Sequence, residues 1–224
     1  MTPPHIGLIG GLATRAGIFY YEQLVQRHET AGETLNLTLR HANVKEVLDR
    51  LDNLDPSGLG NYLGGLAHQL FGAGADFVAV SAIAPHMAIS EIVAVARGPV
   101  VSALDVIPSA IREAGIERVA VFGNRAVMES NIYAAVSANA VVPLQATALE
   151  SVHATYSDIA LMGKRNTETE VEFLADMAER AMALGAQAIV LAGTDLSSFY
   201  AETPPEYPHI DLAQAHLAQI MSTG

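Results

Sequence analysis

Hydrophobic and polar positions change period repeatedly along this chain. "HIGLIGG" (5–11) is a continuous apolar run ending in glycines, which predicts a buried strand feeding a tight turn. Residues 14–32 switch to helical spacing, with Ile18, Tyr21, Leu24 and Val25 on one side. "LNLTLRHA" (35–42) alternates as a strand, and 59–74 is helical up to a closing glycine. "DFVAVSA" (76–82) and "PVVSAL" (99–104) are short apolar runs of the kind buried in parallel sheets, and a helix over 105–115 follows, stopping at Gly115. The order then restarts. "RVAVFGN" (118–124) is a strand into a glycine turn, followed by a helix over 125–138 and a short strand over 141–146. A long helix covers about 166–184, "QAIVLAGTD" (187–195) is a strand into a small-residue turn, and 208–221 passes from extended to helical.

The chain also aligns on itself. "GADFVAVSA" (74–82) lies over "GAQAIVLAG" (185–193) at an offset of about 111, and "HIGLIGG" lies over "RVAVFGN" at about 113. Nearly equal offsets between strand-turn units predict a duplicated α/β fold. Two similar parallel-sheet halves would be related by pseudo-twofold symmetry, with a cleft between them. The expected first half is 1–103, with a C-terminal helix 212–224 packing back on it, and the second is 104–211. Ligands of such sheets sit beyond the carboxyl ends of the strands, which makes Ala82 and Gly193 matched loop positions.

Composition narrows the chemistry. Half of the 224 residues are hydrophobic and 16% are charged, so a packed core is expected and disorder is not. A formal charge of −12 argues against nucleic acid as a partner, because phosphate binding needs a basic face. There is no cysteine, which removes disulfides, thiolate metal sites and thiol nucleophiles at once. The start "MTPPHIGLIGG" has neither the basic region nor the long apolar stretch of a signal peptide. The longest apolar run, 77–89, is broken by Ser81, Pro85 and His86 and is too short to span a bilayer. A cytoplasmic location is the expectation.

With these segments in order, the chain resembles the cofactor-independent aspartate/glutamate racemases over nearly its whole length. The resemblance is carried by "IGLIGG", by "GADFVAVSAIAPH" where that family has a strand followed by Cys-Asn-Thr-Ala-His, and by "VAVFGNRAVMESNIY" (119–133). "GAQAIVLAGTDL" falls where the family has Gly-Cys-Thr-Glu-Leu, and "HIDLAQAHLA" resembles the closing Asp…His-Ala segment. The family's two cysteines face each other across a substrate carbon, one removing a proton and the other returning one, with neither pyridoxal phosphate nor a metal. Carried over by position, the first cysteine falls on Ala82 and the second on Gly193, and the polar pair after the first falls on Ile83 and Ala84. A methyl group and a hydrogen cannot carry a proton, so two-thiol racemisation is expected to be absent.

His86 and Asp195 are therefore the candidate acid–base groups, with Gly11, Ser81, Ile83, Ala84, Asn124, Lys164 and Thr194 as candidate ligand contacts. Each has a plainer reading. The Gly10–Gly11 pair suits any tight strand-to-helix turn, and Thr194 and Asp195 favour helix caps. Ser81 beside a strand end is commonly a satisfied hydroxyl, and Lys164 fits an exposed basic pair. Ser130, Tyr133, Arg40 and His41 are further candidates. His153, His209 and His216 have no metal-ligand spacing, and no metal or other cofactor is expected. The resemblance implies an isomerase, racemase or lyase acting beside a carboxylate, and a homodimer. The alternatives are a non-catalytic relative that binds a small carboxylate and a purely structural subunit.

Overall fold

The computed structural model describes residues 3–13, 15–162 and 167–223. The chain divides into two compact units, Met1–Ser102 together with His216–Gly224, and Ala103–Ala215. The first contains β1 (His5–Gly10), α1 (Ala16–Ala31), β2 (Asn36–His41), α2 (Val44–Asp52), α3 (Pro56–Gly72), β3 (Phe77–Val80), a 3₁₀ turn (Ala84–Ala88), α4 (Ile89–Ala96) and β4 (Val100–Val101). Among the described residues its strands run parallel in the order β2-β1-β3-β4. β3 is apolar and buried at every position, as a central parallel strand covered on both faces requires. Leu59, Leu63, Leu66 and Leu70 of α3 fill the core against Val78, Val80 and Ile92. Helix starts follow their capping residues. The Asn43 side chain accepts backbone N–H groups of Lys45 and Glu46, and Asp55 accepts that of Gly58 with Pro56 in the first turn.

The second unit contains α5 (Ile107–Glu113), β5 (Val119–Phe122), α6 (Arg125–Glu129), a 3₁₀ turn (Ala138–Ala140), α7 (Ala146–Met162), α8 (Glu168–Ala183), β6 (Ala188–Leu191), α9 (Thr194–Phe199) and β7 (His209–Asp211). α10 (Leu212–Ser222) begins in this unit and ends in the first. β5, β6 and β7 form a parallel sheet in that order among the described residues.

The fold is α/β with two parallel-sheet halves, and the duplication extends to strand register. Leu8 and Ile9 pair with Ala79 and Val80 in the first unit. Their counterparts at the sequence offsets, Val121 and Phe122, pair with Val190 and Leu191 in the second.

Several elements differ from the sequence-based expectation. The helix expected over 125–138 stops at Glu129. Asn131, Ile132, Tyr133 and Ala134 then follow with φ of 50°, 47°, 51° and 66°, a left-handed turn built without glycine. The Ser130 hydroxyl explains the break. It donates to the Val127 carbonyl and accepts the Tyr133 N–H, giving the backbone an alternative to the helical ladder. The strand expected over 141–146 shrinks to one bridge, Val119–Val141, and Pro143 offers no donor to continue it. α2, α4 and α7 are additional helices. Leu149, Val152, Tyr156 and Ile159 give α7 the three-and-four spacing of an amphipathic helix, although its Thr, Ser and Val content dilutes the signal.

Candidate functional site

In the first unit β1 ends at Gly10, and Gly11 turns the chain at φ 76°. A Cβ there would also stand 2.6 Å from the Ala42 carbonyl oxygen and from the His41 ring, so the turn excludes every larger residue. β3 leads into Ser81, Ala82, Ile83 and Ala84. The Ser81 hydroxyl is fully buried and donates to the Ile9 carbonyl at 2.9 Å, which ties the loop to β1. Ile83 is buried, and Ala82 packs at the edge of the core. Apart from Ser81, this loop is apolar.

His86 sits in the 3₁₀ turn at 1% exposure. Its Nδ1–H donates to the Ala82 carbonyl at 2.9 Å, one turn back. Its ring meets the ring of His216 edge-on, with centroids 5.7 Å apart. His216 has both nitrogens engaged. Nε2–H donates to the Val101 carbonyl at 3.0 Å, which leaves Nδ1 to accept from the Tyr20 hydroxyl at 2.8 Å. That network fixes a neutral tautomer. Burial lowers the His86 pKa to about 4, partly countered by the carbonyls of Ala82 and Ile83. Burial and then the proximity of His86 bring His216 down to about 3. Both imidazoles are neutral at physiological pH.

In the second unit β5 ends at Gly123, and Asn124 caps α6 by accepting the Val127 N–H. β6 ends at Leu191, and Gly193 precedes α9 with extended backbone, φ −161°, that any residue adopts. What excludes a side chain at 193 is Tyr156 from α7. A Cβ built there would stand 2.9 Å from both Cζ and Oη of Tyr156. The space into which a side chain at 193 would project is filled by a phenol. The same phenol donates to Oδ2 of Asp195 at 3.3 Å.

Asp195 is 6% exposed, and burial raises its carboxyl to about 6 against the opposing hydrogen bond from Tyr156. Burial first, then the Asp195 charge and hydrogen bond, hold the Tyr156 phenol well above its usual range. Tyr133 is close enough to add to that effect, and burial pushes its own phenol up to about 12. Two hydroxyl oxygens here are buried without a hydrogen-bond partner, Thr194 Oγ1 and Tyr133 Oη. Buried hydroxyls are normally satisfied, so each exception calls for an explanation such as strain, water or a functional role. Nearby, Asp211 accepts from the Ser197 hydroxyl at 2.7 Å, and burial raises its carboxyl.

The structure thus gathers Thr194, Asp195, Tyr133 and Tyr156 around Gly193, and Ala82, His86, Tyr20 and His216 beyond β3. It does not converge the remaining candidates on either group. Asn124 and Ser130 serve helix and turn hydrogen bonds, Arg40 binds Gln69 on the surface, and His41 is exposed. The ring Nδ1 of His153 accepts the Arg125 N–H, and that of His209 donates to the Tyr207 carbonyl. Lys164 lies outside the described residues. Sequence reasoning missed Tyr156, because it missed α7, and because no local pattern shows that this helix abuts position 193.

Comparison with known proteins agrees with the α/β fold of two parallel-sheet halves. No curated protein matches the chain. A candidate Asp/Glu racemase from Yersinia pestis superposes with a TM-score of 0.82 at 21% identity, covering 98% of both chains. An aspartate racemase homologue from Pyrococcus horikoshii OT3 gives 0.79 at 20% identity, again over 98% of both. Arylmalonate decarboxylase shares the fold more distantly, with a TM-score of 0.54 at 14% identity over 99% of this chain and 93% of that one. The profile of the family described as Asp/Glu/Hydantoin racemase matches residues 9–220, and the chain belongs to that family.

Proposed function

We propose that this protein binds a small carboxylic or amino acid and moves a proton at the carbon beside the carboxylate without using a thiol. The observation that carries this reading is the buried Thr194 hydroxyl without a partner, directly before a buried carboxyl whose pKa lies near 6. A hydroxyl there can donate to a ligand carboxylate. A carboxyl of that strength is mostly ionised at pH 7 and close to the optimum for general base work. Asp195 is the better matched of the two acid–base candidates. His86, neutral and weakly basic, fits a base or a hydrogen-bonding role and not a cationic clamp. The family's racemases and a fold that also includes a decarboxylase support chemistry at such a carbon. Racemisation and other isomerisations, decarboxylation and elimination share that first step.

A second reading, a binding protein without turnover, is favoured by the apolar loop of Ala82 and Ile83. A cytoplasmic homodimer is proposed in either case, with a small-molecule ligand and no nucleic acid. Among the described residues no helix is long and apolar enough to cross a membrane.

Proton NMR in D₂O with L- and D-aspartate and glutamate separates the readings. Enzyme-dependent exchange of the α-proton, lost in Asp195→Asn, is the expected result. Absence of exchange combined with thermal stabilisation by succinate would leave the binding reading alone. At one hundred times Kd a ligand adds about 2.7 kcal/mol, or roughly 5–10 °C in Tm for a chain of this size. Neither signal overturns both.

A further inference from the structure

We propose that Tyr156 is the proton-transfer residue of the second unit, standing in for a side chain at position 193. The inference rests on the reading of the protein as an acid–base enzyme and adds a residue that no motif marks.

Geometry carries it. The Tyr156 hydroxyl occupies the volume into which a side chain at Gly193 would project, 2.9 Å from the Cβ such a side chain would have. Its O–H donates to Asp195 Oδ2, so the phenol is coupled to a carboxyl that can take its proton. Thr194, next in the chain after Gly193, presents a buried hydroxyl with no partner, and so does Tyr133, which lies close enough to Tyr156 to influence its proton affinity. Glycine at 193 is required for this arrangement by space alone, since its backbone is extended. A side chain at 193 and this placement of the phenol exclude each other in space.

The chemistry balances without a further reactant. In the forward step the α-C–H bond breaks, its proton passes to the Tyr156 oxygen, and the phenolic proton passes to the Asp195 carboxylate. The electron pair stays on the substrate as the enolate of its carboxylate. Reversal returns a proton to carbon from Tyr156 while Asp195 gives its proton back. Tyr156 touches the substrate, and Asp195 acts through it. The phenol never has to persist as a phenolate, which its buried site disfavours.

The test uses Tyr156→Phe, which keeps the ring and removes only the oxygen. Three readouts are taken: α-proton exchange with aspartate and glutamate, succinate binding by calorimetry, and the Cζ resonance of ¹³C-labelled tyrosine. The expected result is exchange lowered at least 100-fold, succinate Kd changed less than threefold, and a Tyr156 Cζ signal that shifts with succinate in the wild type. Exchange within threefold of wild type in Tyr156→Phe would overturn the proposal, and so would a Cζ signal indifferent to succinate. Wild type that binds succinate and exchanges nothing overturns it too, while leaving carboxylate binding in place. Wild type that neither binds nor exchanges removes the underlying functional reading as well.

Discussion

Gly193 and Tyr156 illustrate how one residue constrains another 37 positions away. Gly193→Cys should destabilise the protein by about 1–3 kcal/mol through overpacking against the phenol. Combined with Tyr156→Ala, the same substitution should cost less than the sum of the two single changes. A double-mutant cycle by urea denaturation measures that coupling, and strict additivity would contradict the contact. Asp195 makes a different prediction. Its carboxyl is raised from 3.8 to about 6, so at pH 7 the folded state holds a charge that burial disfavours, at roughly 3 kcal/mol. Asp195→Asn should therefore raise stability at pH 7 by about 1–3 kcal/mol while abolishing exchange. A stability gain coupled to lost activity is expected of a residue retained for function. Stability lowered at pH 7 would show that Asp195 is structural.

Among the elements, the turn at 131–134 is the one whose backbone conflicts with its residues. Four successive non-glycine residues with positive φ are costly, and Ile132 is β-branched and fully buried. Such strain persists where surrounding contacts hold it, and here the turn carries Tyr133, which lies close enough to Tyr156 to influence its proton affinity. Ala134 is exposed, and its φ of 66° suits glycine. Ala134→Gly should stabilise by about 0.5–1 kcal/mol in thermal denaturation, because relief of the left-handed conformation outweighs the added chain entropy. In contrast, Asn124→Ala should cost about 1 kcal/mol by uncapping α6. The contrast separates a cap from a ligand contact, since loss of exchange in Asn124→Ala beyond its stability effect would point to the latter.

Across the whole molecule the two units respond to acid with opposite signs. His86 and His216 have folded pKa values of about 4 and 3, below the unfolded 6.5. The unfolded chain binds their protons first, so their contribution to stability is lost as pH falls below 6.5. Asp195, raised to about 6, does the reverse, and Asp211 is raised as well, so the second unit gains stability as pH falls from 6 toward 4. The wild type should therefore show a shallow pH dependence over that window. Asp195→Asn removes one opposing group and should steepen the acid loss between pH 6 and 4, as denaturant titrations at each pH would show. An unchanged slope would mean that Asp195 titrates normally. Imidazole NMR gives the complementary check, with His86 neutral down to about pH 4.

The sequence by itself determined the class of the molecule. Short apolar runs ending in glycine, separated by helical spacing, dictate buried parallel strands, because only strands covered on both faces are apolar at every position. The nearly equal offsets between "HIGLIGG" and "RVAVFGN" and between the 74–82 and 185–193 segments predicted the duplication, and the structure shows that equivalent residues pair in both sheets. It also showed that both family cysteines are missing, which is a matter of residue identity alone. It did not show the left-handed turn after Ser130, because a hydroxyl that competes with the helical ladder leaves no change in hydrophobic period. Tertiary structure alone decided which side chains meet. Tyr156 lies on a helical stripe like any core aromatic, and nothing local distinguishes it. Only packing of α7 beside the end of β6 brings its hydroxyl to Asp195 and into the space that Gly193 leaves open. Proton affinity is decided at the same level, because the carboxyl of Asp195 and the imidazole of His86 are shifted chiefly by burial, which three-dimensional packing sets.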